Sequence, residues 1–268
     1  MTRVAVVGHV EWVEFARVDH VPAPGEIVHA LETWEEPAGG GAVAAVQLAR
    51  LAGECLFLTA LGDDELGHRA ARELADLGVR VETVWRPEPQ RRAFVHIDAA
   101  GERTITVIGE LMGPHGGDAL PWDELTQADA VYFTAGDVEA VRKARAARNL
   151  VATTRANEAL VPAHVQLDVL VRSARDPGEQ YVEIDPAPRF VAETDGALGG
   201  SLVEPDGGKT HWEPAPLPGP VVDAYGAGDS FAAGLTYGLA TGLAPAEAVF
   251  RGAECGAAAM TSRGAFGG

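Results

Sequence analysis

Short apolar runs alternate along this chain with stretches of helical periodicity. VAVV at 4–7, LFLTAL at 56–61, VYFT at 131–134 and VLV at 169–171 are the runs that strands need when both their faces are covered. Between the second and third, Leu66, Ala70, Leu74 and Leu77 share one face of a helix predicted over 64–77, with Asp63 as its N-cap and Gly78 as its C-cap. This order builds βαβ units, so the expected fold is α/β, a Rossmann-like three-layer sandwich around a mostly parallel central sheet. Two segments break the rhythm. Residues 11–36 are extended and acidic, and RAFVHIDAAGERTITVIG at 92–109 alternates apolar and polar residues around an Ala-Gly turn, as a hairpin does. Together they predict a small β-sheet inserted in a single domain over 1–268, standing off it as a lid.

Composition narrows the chemistry. With 268 residues, 47% hydrophobic and 22% charged, the chain suits one large domain or one domain with a small appendage. No run approaches the roughly 18 apolar residues of a membrane span. The N-terminus, MTRVAVVGHVEW, reads as an opening strand and not as a signal peptide, and a cytoplasmic location is expected. Cys55 and Cys255, far apart in Ala/Leu-rich surroundings, are expected as buried free thiols. A formal charge of −18 disfavours nucleic acid and anionic membrane as partners. Lys143 and Lys209 are the only lysines and neither lies in a GxxxxGK[ST] context, so any phosphate must be held by backbone amides and arginine.

The densest chemistry lies in DAYGAGDSFAAGL at 223–235. A glycine-rich turn entering a helix leaves N–H groups without partners, and the helix dipole adds positive potential there. The amides of Gly226, Ala227, Gly228 and Asp229 would hold the charge that builds up in phosphoryl transfer. Asp229, kept ionised by a pKa that the helix end lowers, would accept a proton from an alcohol. The competing reading is an N-capping Asp after an ordinary turn.

This segment resembles the DTxGAGDxFxxG signature of the ribokinase-like, or PfkB, carbohydrate kinase family. AGGGAVAAVQLARLAG (38–53) is similar to that family's N-terminal glycine motif, and ALGDDELG (60–67), Gly101-Glu102-Arg103, ETDGALGG (193–200) and TSRGA (261–265) follow in the family's order. The resemblance implies an ATP-dependent kinase of a sugar, sugar derivative or nucleoside hydroxyl, with Mg2+ carried by the nucleotide phosphates. In it Asp229 is the base and Gly226, Ala227 and Gly228 the anion hole. Thr194, Gly196 and Gly199 lie against the nucleotide together with Gly228, while Gly39 and Gly40 let the acceptor approach the backbone. Asp223 matches a position that helps bind a monovalent cation such as K+.

Departures from the pattern point to an unusual acceptor. Val43 stands where many relatives have Asn, and Val13 where an Asp often clamps two hydroxyls, leaving Glu11 or Glu14 as substitutes. The NxxE segment that organises Mg2+ and its waters falls at Ser173-Ala174-Arg175-Asp176, where only Asp176 is a carboxylate, and Ala253 replaces an Asn of the adenine pocket. Trp12 and Trp34 would stack on a sugar or base, or fill the interface between lid and body, with packing favoured. An exposed apolar lid face would favour a lid-to-lid homodimer. Two other readings remain: a binding relative with weakened turnover, and a dinucleotide-dependent oxidoreductase, against which VAVVGHV lacks GxGxxG.

Overall fold

The computed structural model describes residues 2–266. The chain runs through β1 (Val4–Val7), β2 (Glu11–Arg17), β3 (Glu32–Ala38), α1 (Gly40–Ala52), β4 (Cys55–Gly62), α2 (Glu65–Asp76) and β5 (Val79–Arg86). Next come the hairpin β6 (Arg92–Ile97) and β7 (Arg103–Ile108), then β8 (Ala130–Phe133), α3 (Val138–Ala144), β9 (Asn149–Thr153), α4 (Asn157–Ala163) and β10 (Val169–Ser173). An antiparallel meander follows, β11 (Phe190–Thr194), β12 (Gly200–Val203) and β13 (Lys209–Trp212), and then α5 (Ala227–Ala240) and α6 (Pro245–Ala259).

The main sheet has the order β13-β12-β11-β10-β9-β8-β1-β4-β5. It is parallel from β5 to β11, and β12 and β13 are antiparallel. Alternate residues of β1 enter different cores. Val4 and Val6 pack in a cluster with α1 and α5, and Ala5 and Val7 in one with α3 and α4. Helices on both faces explain why VAVV is apolar throughout. From β1 the chain builds outward through β4 and β5, then returns to β8 and builds the other way. The sheet therefore has its topological switch point between β1 and β8, and open α/β sheets bind ligands in the crevice beyond the carboxyl ends of such strands.

The interrupting segments form one four-stranded sheet, β3-β2-β6-β7, in which β2 and β6 are parallel and the outer pairs antiparallel. It lies against the body where a sheet standing clear was expected. Alternation puts Glu11, Val13, Phe15 and Arg17 on one face, and that face is apolar enough to need cover. Phe15 meets Tyr225 edge-on at 5.0 Å and stacks on Trp34 at 4.8 Å, and Arg17 donates to the carbonyl of Val222. Trp12 is fully buried, with the Arg69 guanidinium 4.4 Å from its ring centre. Both tryptophans are packing residues.

The first cap of α2 needs correcting. Asp64, not Asp63, caps it by accepting from the Gly67 amide, while Asp63 pairs with His68. Leu77 is the C-cap, and Gly78, at φ 87°, makes the left-handed turn after it. Cys55 and Cys255 are buried and free. Among the described residues no helix is long and apolar enough to cross a membrane.

Candidate active site

Helix α5 begins at the switch-point end of the sheet. Gly226, its N-cap, takes the left-handed φ of 71° that turns the chain into the helix, and no side chain caps the first amides. A Cβ on Gly228 would meet nothing within 4 Å, so the space before these amides is open. Asp229 is the third residue of the helix and not its N-cap, which removes the capping reading.

The electrostatics of Asp229 differ from expectation. Its pKa is pushed up to about 6, chiefly because burial withdraws the carboxylate from water. The like charge of Glu179 adds to the rise, and Arg103 and Arg155 oppose it. The helix end alone favours the charged form, but here the loss of hydration outweighs it. A carboxylate with a pKa near 6 remains mostly ionised at neutral pH and is a stronger base than an ordinary aspartate.

Helix α1 brings its own glycine-rich N-terminus to the same place. Gly39, at φ 85°, donates its N–H to the Tyr225 hydroxyl at 3.2 Å, which ties the two glycine turns together. A Cβ on Gly40 would lie 2.8 Å from Asp229 Oδ1, so the backbone there rests directly on the carboxylate. Val43 is buried beneath the second turn, where a Cβ on Gly226 would meet its Cγ1 at 3.0 Å. It shapes the turn, and its side chain is enclosed.

Glu11 joins this cluster, with Arg91 Nε 2.7 Å from its carboxylate. Burial raises the Glu11 pKa, and Arg91 works against that rise. Glu14, on the opposite face of β2, pairs with Arg92, so of the two proposed substitutes only Glu11 is turned toward Asp229.

The other half of the rim is formed by the ends of β9, β10 and β11. Arg155 bridges Asp176 and Glu179, and Glu179 also accepts the Ser173 N–H at 2.7 Å. Two carboxylates thus stand where the sequence showed one. Thr194 donates its hydroxyl to the Arg172 carbonyl, and Gly196 takes φ 56° in the tight turn to β12. At Gly199 a Cβ would lie 2.0 Å from the Trp212 carbonyl oxygen, so the fold itself requires glycine there. Asp223 is fully buried and accepts the N–H groups of Tyr225 and Gly264, fastening the segment before the Gly226 turn to the C-terminal TSRGA stretch. Among the described residues no three His, Cys, Asp or Glu side chains are grouped to hold a metal.

Sequence reasoning missed His9, Arg91, Arg155 and Glu179, and gave Arg103 no role. Arg103 donates to the Ala224 carbonyl from the lid, two residues before Gly226. A guanidinium just past an apolar strand (Arg155), and an acid three residues beyond Asp176, were the available signals.

A helix end with uncapped amides, a basic carboxylate, arginines around it and a covering β-sheet, on an α/β sandwich, are the parts that a small-molecule kinase needs. The chain belongs to the pfkB family of carbohydrate kinases, whose family model matches residues 1–176 and 160–267. It is 30% identical to an ATP-dependent ribose-1-phosphate kinase of Halopiger xanaduensis over 259 residues, covering 87% of this chain and 83% of that one. An aminoimidazole riboside kinase of Salmonella typhimurium is 29% identical over 280 residues, covering 86% and 83%. In fold it is similar to an Arabidopsis thaliana ribokinase complexed with ribose and ATP, at a TM-score of 0.75 and 21% identity over 99% of this chain and 95% of that one.

Proposed function

We propose that this protein transfers the γ-phosphoryl group of ATP to a hydroxyl, by preference a primary one, of a ribose-type sugar, sugar phosphate or nucleoside. The observation that carries this reading is Asp229 lying between the open amides of α5 and the bare backbone of Gly40. An alcohol held there gives its proton to Asp229 as its oxygen attacks, and the amides of Ala227 and Gly228 receive the charge of the transferring group. Arg155 and Arg103 supply positive charge on either side. The neighbouring kinases named for ribose 1-phosphate and for a riboside support an acceptor of this class.

Mg2+ bound with the nucleotide would neutralise phosphate charge, and in this reading Asp176 and Glu179 would hold its waters. Asp223 fits K+ as well as its structural task, since each oxygen accepts one N–H and keeps a lone pair. Thr194, Gly196 and Gly199 form the nucleotide side of the cleft in this reading. The lid covers the acceptor and excludes water.

Calorimetry and an ADP-release assay test the proposal. ATP with Mg2+ should bind, and at least one of ribose, ribose 1-phosphate and adenosine should stimulate ADP release. Binding of NADH without binding of ATP would sink the kinase reading. ATP binding with no stimulation would favour the weakened binding relative.

Ile105, Val107 and Ile108 on edge strand β7 are exposed, and we infer from them a homodimer formed through the lid. Sedimentation at micromolar concentration should give twice the mass of the 28.0 kDa chain. A monomer under those conditions rejects the dimer.

A further inference from the structure

His9 is the first side chain past Gly8 at the carboxyl end of β1, on the switch point of the sheet. Its ring fits against the two glycines that open α1. A Cβ on Gly39 would lie 3.2 Å from its Cδ2, and the Cβ that Gly40 lacks would lie 3.7 Å from its Cε1 and 2.8 Å from Asp229 Oδ1. Imidazole and catalytic carboxylate therefore border one point.

Two buried polar atoms here have no hydrogen-bond partner, His9 Nδ1 and Thr134 Oγ1. For the imidazole the geometry selects a tautomer. A buried orphan N–H is rarer and costlier than a buried orphan lone pair, so Nδ1 carries the lone pair and the proton is on Nε2. Nε2 is not among these enclosed unpartnered atoms, and the ring edge that carries it, from Cδ2 to Cε1, lies against Gly39 and Gly40 beside Asp229.

We propose that His9 determines acceptor specificity, its Nε2–H donating a hydrogen bond to an acceptor oxygen next to the hydroxyl that Asp229 activates. The ligand class is a polyol with a second oxygen within reach of the reacting one, as in a furanose. This inference rests on the kinase reading and adds to it the group that recognises the acceptor. A neutral donor suits the place, because an imidazolium would pair with Asp229 and cancel the base. Burial and the nearby Arg91 and Arg155 push the His9 pKa down to about 3, so the ring stays neutral.

The test is steady-state kinetics of wild type, His9→Leu and His9→Gln with ATP-Mg2+ and ribose, ribose 1-phosphate or adenosine. His9→Leu should raise the acceptor KM about ten-fold, with kcat and the KM for ATP within two-fold. His9→Gln, which can place an amide N–H where Nε2–H was, should recover most of that loss. An unchanged acceptor KM in His9→Leu overturns the inference while leaving the kinase intact. So does an equal loss of kcat, ATP affinity and Tm in both variants, which would mark His9 as structural. Wild type that turns over none of the three acceptors fails the kinase reading, and the inference with it.

Discussion

Replacing Asp229 with asparagine is expected to lower acceptor-dependent turnover by roughly 10²–10⁴-fold, the usual contribution of a general base, while ATP affinity changes little. Asn keeps the shape of the side chain at the third helix position, and no cap is lost because Asp229 makes none. What disappears is the site that takes the alcohol's proton. Wild-type kcat/KM for the acceptor should correspondingly rise with pH through about 6, since protonated Asp229 cannot act as base.

Stability should move the other way. The folded pKa of about 6 exceeds the ordinary 3.8, so the stabilisation that goes with protonated Asp229 is complete below 3.8 and is lost as pH rises through 6. At pH 7 the ionised carboxylate opposes folding, and the Asn variant should melt higher than wild type. Turnover within a few-fold of wild type would refute the catalytic assignment. A lower Tm at pH 7 would refute the burial account of the pKa.

Gly40→Ala should cost about 100-fold in kcat/KM, the order expected when a reacting group is displaced by about an ångström. The new methyl would lie 2.8 Å from Asp229 Oδ1, closer than carbon and oxygen tolerate, so the short Asp side chain must rotate away. No positive φ is at stake at Gly40, and the fold should persist with little change in Tm. Kinetics together with thermal melting decide it. Near-normal activity would show that the acceptor and the base do not depend on bare backbone at this position.

Much of this architecture was written locally. Continuous apolar runs such as VAVV need cover on both faces, and that need alone implies helices above and below a parallel sheet. The hairpin at 92–109 and the glycine turns at 39–40 and 226–228 are likewise consequences of neighbouring residues, because alternation and permitted φ values are properties of a few adjacent positions. The uncapped amides at the start of α5 follow from the same local rules.

Features that depend on residues far apart in the chain were decided by the fold. Glu11 reached the site and Glu14 did not because the apolar face of β2, with Val13 and Phe15, had to be buried against the body, a choice the alternation offers but does not make. Glu179 and Arg155 meet because parallel pairing sets β9 beside β10. His9 acquired its place from the point at which the sheet reverses direction. The charge state of Asp229 shows the division most directly. Sequence determined the helix dipole, which lowers an acid's pKa, while the tertiary structure determined the burial and the approach of Glu179, which raise it to about 6. A dipole is built by consecutive residues, but desolvation depends on everything that packs around the group, and here that sum is the larger.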